Sequence, residues 1–341
     1  MLKNRYLTLA SLAAVTCTLA ASGGATVTLM SGGSTFIYPI LVKWTEAYRK
    51  LHPDMQMSYD PVGSGKGISR TLAGTVDFGA SDGPLTDVQI SASHRKLLHI
   101  PVVLGAVVPA YKLPGVTEEI RFTPKALAGI FLGTIKRWND PELARANPDV
   151  HLPGNDIQVV FRTDGSGTTY VWTDYLSKVS DEWRTRVGRG TTVPFIVGEG
   201  AQFNECVMDV VKKQPYSIGY LQITYAVQGH VHYGRVQNSS GTFAKADSAS
   251  ITAAAAATAK DMPDDFRTSI TNATDADAYP ISSFTWLLVP AKIEDRQKHD
   301  AIVGFLRWIL TDGQKLAAPI DYAPLPGDIA LRALRAVDRI Q

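Results

Sequence analysis

Ten residues, Phe161–Tyr170 (FRTDGSGTTY), carry a guanidinium, a carboxylate, several hydroxyls and two glycines in one short run. Arg162 can fork onto an oxyanion with two parallel N–H groups. Gly165 and Gly167 allow backbone to approach a ligand closely. Downstream, Val171, Trp172, Tyr175, Leu176 and Val179 recur at helical spacing, which predicts a helix. Asp164–Thr168 then falls in the turn before that helix or in its first turn. Backbone N–H groups there lack intrahelical acceptors, and the helix dipole favours an anion. The chemistry suggested is an oxyanion cradle. A Gly-Ser turn closed by an N-cap uses the same residue types, so this stretch alone leaves both readings open.

Three further polar loops precede it: Gly32–Phe36 (GGSTF), Asp60–Gly67 (DPVGSGKG) and Ser81–Pro84 (SDGP). The second is not a nucleotide-binding P-loop. Gly67 follows Lys66 where Ser or Thr is required, and Asp60 holds the place of the first glycine. Asp164 and Thr168 flank Ser166 where a hydrolase nucleophile elbow needs glycines. His230 and His232 would share one face of a strand, without further ligands at metal spacing. Cys206 is expected to be a buried, inert thiol. Asp82 stands out, because a carboxylate beside an anion is repelled. It fits if the anion carries a proton, since ionised Asp only accepts hydrogen bonds. Phosphate at neutral pH can donate one and sulfate cannot, so Asp82 would select between them. Alternatively Asp82 caps a helix near Leu85–Ile90.

These loops need elements to hold them. Thr26–Met30, Met55–Tyr59, Val76–Ala80 and Ile157–Phe161 read as strands, each running into one of the loops. A helix bearing Ile40, Leu41, Trp44 and Tyr48 on one face follows the first, and a short one with Ile68, Leu72 and Ala73 the second. Strand, Gly/Ser loop and helix recur, which argues for an α/β protein with largely parallel sheets. Ligands bind outside the carboxyl ends of such strands, so the four loops are expected to meet. Tyr216–Tyr225, Val231–Val236 and Ile281–Val289 read as further strands. Ser239–Thr252 reads as irregular, Ala253–Ala259 as a surface helix, and Gln297–Leu316 and Pro326–Ile340 as a closing helix pair.

The 341 residues suffice for two domains, and a net charge of +2 gives no argument for a nucleic-acid partner. Met1–Ala25 has the pattern of a signal peptide, with Lys3 and Arg5, an apolar run over Leu7–Val15, and small residues at its end. Its removal would leave the mature chain with zero net charge. Cys17 lies inside it, so Cys206 has no partner for an internal disulfide. A lipid anchor on Cys17 is disfavoured by the preceding Thr16.

In order, GGSTF, VGSGKG, TVDFGASDGPLT, GIFLGTIKRWNDP, FRTDGSGTTYVWTDYL, SIGYLQITYA and YAPLP resemble the periplasmic phosphate-binding proteins of high-affinity phosphate ABC transporters. The resemblance runs from about Thr26 to the C-terminus. It implies a type 2 periplasmic-binding-protein fold: two α/β lobes with mixed sheets, helices on both faces and a hinge. Lobe I would comprise residues 26–103 and 281–341, and lobe II residues 104–280. By the same resemblance the phosphate contacts are Thr35, Phe36, Ser64, Asp82, Arg162, Asp164, Ser166, Gly167 and Thr168. Asp82 would read the proton, Arg162 would be the cationic contact and Asp164 would pair with it. Thr35 would give a hydroxyl, Phe36 a backbone N–H, and Ser166–Thr168 the helix-opening donors. Lys66 and the turn Ala201–Cys206 depart from the family pattern without removing a contact. A periplasmic monomer that delivers phosphate to membrane permease subunits, with no cofactor, metal or catalytic residue, is the function implied. Another oxyanion as ligand, or an exported phosphatase, are the alternatives.

Overall fold

The computed structural model describes residues 26–341; the expected signal peptide and Cys17 lie outside them. The described chain begins β1 (Val27–Gly33), α1 (Tyr38–Leu51), β2 (Met55–Asp60), α2 (Ser64–Ala73), β3 (Phe78–Ser81) and α3 (Asp87–Ser91). β1 pairs in parallel with both β2 and β3. The three strands therefore end on the same edge, where the loops to α1, to α2 and beyond β3 lie side by side. On α1, Ile40, Leu41, Trp44 and Tyr48 are buried at the predicted spacing.

β4 (Leu97–Lys112) is sixteen residues long and buried along nearly its whole length. Its apolar run, interrupted by His99 and ending at Lys112, suits a strand covered on both faces. After it come β5 (Arg121–Phe122), α4 (Pro124–Leu132), α5 (Pro141–Ala146), β6 (Gln158–Arg162), α6 (Gly167–Val179) and α7 (Asp181–Arg186). β7 (Glu199–Ala201), α8 (Phe203–Lys213), β8 (Ser217–Gln222), α9 (Ile223–Gln228), β9 (His232–Tyr233), β10 (Arg235–Gln237), β11 (Phe243–Ala244) and α10 (Ser248–Ala256) follow. The chain returns through β12 (Ser282–Pro290) and closes with α11 (Arg296–Leu310) and α12 (Gly327–Val337).

Among the described residues, one mixed sheet runs β2-β1-β3-β12-β4-β8-β6-β7, with β9 also on β4. β5, β10 and β11 form a separate small sheet. β4 joins the two halves of the large sheet. Its Leu97–Ala106 part pairs with β12 and its Val107–Lys112 part pairs with β8. The centre is thus antiparallel and the flanks parallel, a correction to the expectation of largely parallel sheets. β12 runs against its neighbours β3 and β4, and β4 runs against β12 and β8. Each half has its own aromatic core. Tyr48 packs on Phe305 and Trp308 in one, and Trp172 stacks on Tyr220 beside Phe131 in the other.

Four local expectations are corrected. Tyr216–Tyr225 is not one strand, because Gln222 caps the start of α9 by accepting from the Thr224 N–H. Ser239–Thr252 is not irregular throughout: an Asp247–Ser250 capping box starts α10 five residues before the alanine run. Ile251, Ala254 and Ala255 of that helix are buried, so it is no surface helix. His230 sits at positive φ outside β9 and does not share a strand face with His232.

Candidate functional site

The four loops converge at the junction of the two halves. Asp82 follows β3 and is fully buried. Its Oδ2 accepts from Ser34 Oγ at 2.5 Å and from Ser64 Oγ at 3.4 Å, and its Oδ1 from Thr285 Oγ1 at 2.6 Å. Burial raises its pKa to about 6, although Ser34, Thr285, Arg162 and Ser64 all pull it down. Unpaired desolvation disfavours the carboxylate, and the surrounding donors recover part of that cost. Asp82 is no helix cap: α3 is capped by Thr86 in a capping box with Gln89.

Arg162 ends β6 and is also buried. Its Nε and Nη2 grip Asp164 at 2.7 and 2.6 Å. Burial pushes the Asp164 pKa up, but the Arg162 hydrogen bonds and charge, with the Phe203 N–H, bring it below the ordinary carboxylate value. The pair leaves little net charge at the site. The outer guanidinium nitrogens reach Thr168 Oγ1 and Thr35 Oγ1, each at 3.4 Å. Thr35 belongs to the loop after β1, so Arg162 spans the junction.

Helix α6 starts at this point. Ser166 is its N-cap, with Oγ accepting from the Thr169 N–H at 3.0 Å, while its own N–H goes to Thr191 O. Of the first four N–H groups, those of Gly167 and Thr168 remain without an intrahelical acceptor. Ser166 therefore positions the helix end rather than supplying a free N–H, which refines the expectation from sequence. A Cβ on Gly167 would lie 2.2 Å from Asp82 Oδ2 and 2.4 Å from Ser64 Oγ. Only glycine lets the helix terminus approach these residues so closely. Opposite it, Gly63 caps α2 with φ +88°, and Gly65 N donates to Gly165 O at 2.8 Å across the junction.

Hydrogen bonds and close approaches link Thr35, Ser64, Asp82, Arg162, Asp164, Gly167 and Thr168 at this junction, with Ser166 capping α6 beside them. Phe36 contributes differently from the rest, since its N–H points to Ser34 Oγ at 3.0 Å and its ring packs against Gly105. The sequence reading missed Ser34, Thr285 and Asn204. Ser34 lay within the quoted GGSTF motif. Thr285 lay in Ile281–Val289, which reads as a buried strand by its apolar density. Asn204 belongs to the turn treated as a neutral departure, yet its Nδ2 donates to Thr35 Oγ1 at 2.9 Å and Thr168 Oγ1 at 3.3 Å. Cys206 is exposed, not buried, because Asn204, Val207 and Val211 form the inward face of α8.

A discontinuous α/β chain with polar loops meeting where its halves join is the architecture of a two-lobed binding protein. A family model for the PBP superfamily domain matches residues 20–313. The phosphate-binding protein PstS of Xylella fastidiosa is 38% identical over 304 residues, spanning 89% of this chain and 83% of that one. That of Pasteurella multocida is 38% identical over 303 residues, spanning 89% and 87%. The chain belongs to the PstS family of phosphate-binding proteins. Its fold is shared with PfluDING, a high-affinity periplasmic phosphate-binding protein solved with phosphate bound. The TM-score is 0.71 at 19% identity, over 89% of this chain and 92% of that one. A phosphate-binding protein from Stenotrophomonas maltophilia gives a TM-score of 0.69 at 17% identity, over 91% and 93%.

Proposed function

We propose that this chain binds inorganic phosphate between its two lobes and delivers it to the membrane permease of an ABC transporter. The observation that carries the reading is the juxtaposition at one buried locus of donors from both halves with one carboxylate. Thr35 and Ser64 come from one half, and Arg162, Gly167 and Thr168 from the other, with Asp82 among them. A dehydrated anion is tolerated only when its oxygens are hydrogen-bonded. Each charge-assisted bond contributes roughly 1.5–3 kcal/mol, so several converging donors offset desolvation. Above its pKa of about 6, Asp82 is ionised and can only accept, so the ligand must bring a proton. Phosphate does and sulfate does not. Arg162, already paired with Asp164, supplies geometry more than net charge.

The lobes are residues 26–103 with 281–341, and 104–280. β4 and β12 act as the hinge strands, and closure brings the Gly63–Gly67 loop onto the Gly165–Thr168 loop. The protein acts as a periplasmic monomer, exported by the segment Met1–Ala25. It binds rather than turns over phosphate: the Ser166 hydroxyl is engaged as the cap of α6. The test is calorimetric titration of phosphate, then sulfate, into protein stripped of bound anion by unfolding and refolding. One-to-one phosphate binding with no sulfate heat is expected. Equal binding of both would remove Asp82 from the mechanism, and binding of neither would overturn the reading.

A further inference from the structure

Asn204 is fully buried in the first turn of α8, between the two lobes. Its Oδ1 accepts from the Gln222 N–H at 3.2 Å. A backbone N–H can only donate, so this contact fixes which end of the amide carries the oxygen. The Nδ2 end then faces two hydroxyls, Thr35 Oγ1 at 2.9 Å and Thr168 Oγ1 at 3.3 Å. Both of these oxygens also face Arg162, through Nη2 and Nη1 respectively, each at 3.4 Å. An amide NH2 and a guanidinium are donors only. Each threonine oxygen therefore has both lone pairs directed at donors, and its single proton must turn elsewhere. Among the described residues, no protein acceptor receives it.

We propose that Asn204 is a positioning residue that, with Arg162, forces the Thr35 and Thr168 hydroxyls to act as hydrogen-bond donors to the anion. The inference rests on the phosphate reading of the site. A free hydroxyl is ambivalent, and can present a lone pair to a ligand as readily as a proton. Asn204 removes that ambivalence at two residues at once, one from each lobe. Thr168, on the same lobe as Asn204, is thereby set for acceptor-rich oxyanions before the ligand arrives, and Thr35 is oriented as closure brings it onto Asn204. This is preorganisation of hydroxyl protons rather than a direct contact with the ligand.

The experiment is a double-mutant cycle on the full anion-stripped protein, read by calorimetric phosphate affinity. Asn204→Ala is expected to weaken phosphate binding by about 5- to 30-fold, the effect of one or two hydrogen bonds. In a Thr35→Val/Thr168→Val background the same substitution should change affinity by less than about twofold, because nothing remains to orient. A purely structural role predicts equal losses in both backgrounds, and that result would overturn the proposal. If Asn204→Ala does not fold, the cycle is run with Asn204→Asp. This variant keeps the shape and the acceptor for the Gln222 N–H but replaces the donor by an acceptor, which turns both hydroxyl protons away from the anion. Asn204→Asp should bind phosphate more weakly than wild type by more than about 30-fold, and wild-type affinity in it overturns the proposal. Wild-type protein that takes up no phosphate would overturn both this inference and the reading beneath it; wild-type binding with additive losses would overturn this inference alone.

Discussion

Asp82 is held between two opposing influences. Burial favours its neutral form, while Ser34, Thr285 and Ser64 donate to its charged form. Burial wins, and the folded pKa lies near 6 against an ordinary value of 3.8. A carboxyl whose folded pKa is raised stabilises the fold fully below the unfolded pKa and loses that contribution as pH rises through the folded one. Two units correspond to about 3 kcal/mol. Urea unfolding of phosphate-free protein should therefore show wild type losing up to about 3 kcal/mol relative to Asp82→Asn between pH 4 and pH 7. A difference that is flat across this window would show that Asp82 is not desolvated. The same residue at neutral pH is an obligate acceptor, so the stability cost and the proposed choice of a protonated anion have one origin. Asp164, gripped by Arg162, illustrates the opposite balance. There, direct hydrogen bonds and charge outweigh burial.

At the scale of elements, α6 decides how closely the lobes meet. Its cap, Ser166, accepts from the Thr169 N–H and leaves those of Gly167 and Thr168 without an intrahelical acceptor. The added methyl of Gly167→Ala would sit 2.2 Å from Asp82 Oδ2 and 2.4 Å from Ser64 Oγ. Both groups are buried and hydrogen-bonded, so they cannot swing away freely. Overpacking of this kind costs about 1–3 kcal/mol. In the proposed closure this contact forms only as the lobes meet, so the cost should fall on binding. Phosphate affinity is expected to drop about 5- to 150-fold, while the melting temperature without phosphate stays near wild type. Equal losses in stability and affinity would instead place the clash inside one lobe.

For the whole molecule, hydrogen bonds across the junction come from several elements, among them Arg162 to Thr35, Thr224 to Ile320 O and Arg267 to Leu85 O. Gly65 donates to Gly165 O, Tyr225 OH to Thr35 O at 2.7 Å, and Asn204 to Thr35. Beneath them, β4 hands its pairing from β12 to β8 at Ala106/Val107 without a break in the strand. Such a junction can bend while both cores stay intact. A ligand that binds only the folded, closed form stabilises it by mass action, about 2.7 kcal/mol at a hundredfold excess over Kd. For a chain of this size that corresponds to a rise in melting temperature of about 4 °C. Phosphate should produce it, with a fall in the radius of gyration by small-angle scattering, and sulfate should produce neither. A rise with unchanged dimensions would mean that the lobes do not move.

Much of this was legible in the sequence because it is local. The period of Ile40, Leu41, Trp44 and Tyr48 set the inward face of α1, and FRTDGSGTTY placed a cap and free donors at the start of α6. Resemblance of the loop motifs, more than any single residue, pointed to phosphate. Other features depend on partners far along the chain. Thr285 reads as part of an apolar strand, and only the pairing of β12 with β3 brings it to Asp82. Asn204 looks like an ordinary polar residue until helix phase turns it inward and the fold brings it against Thr35, 169 residues away. Cys206 follows the same phase outward. Residue types and local spacing told which groups could hold an anion, while which carboxyl is desolvated and which side chains meet across the junction followed from the folded chain. Periodicity and capping act within a few residues, whereas burial and hydrogen-bond polarity are set by groups that only the folded chain brings together.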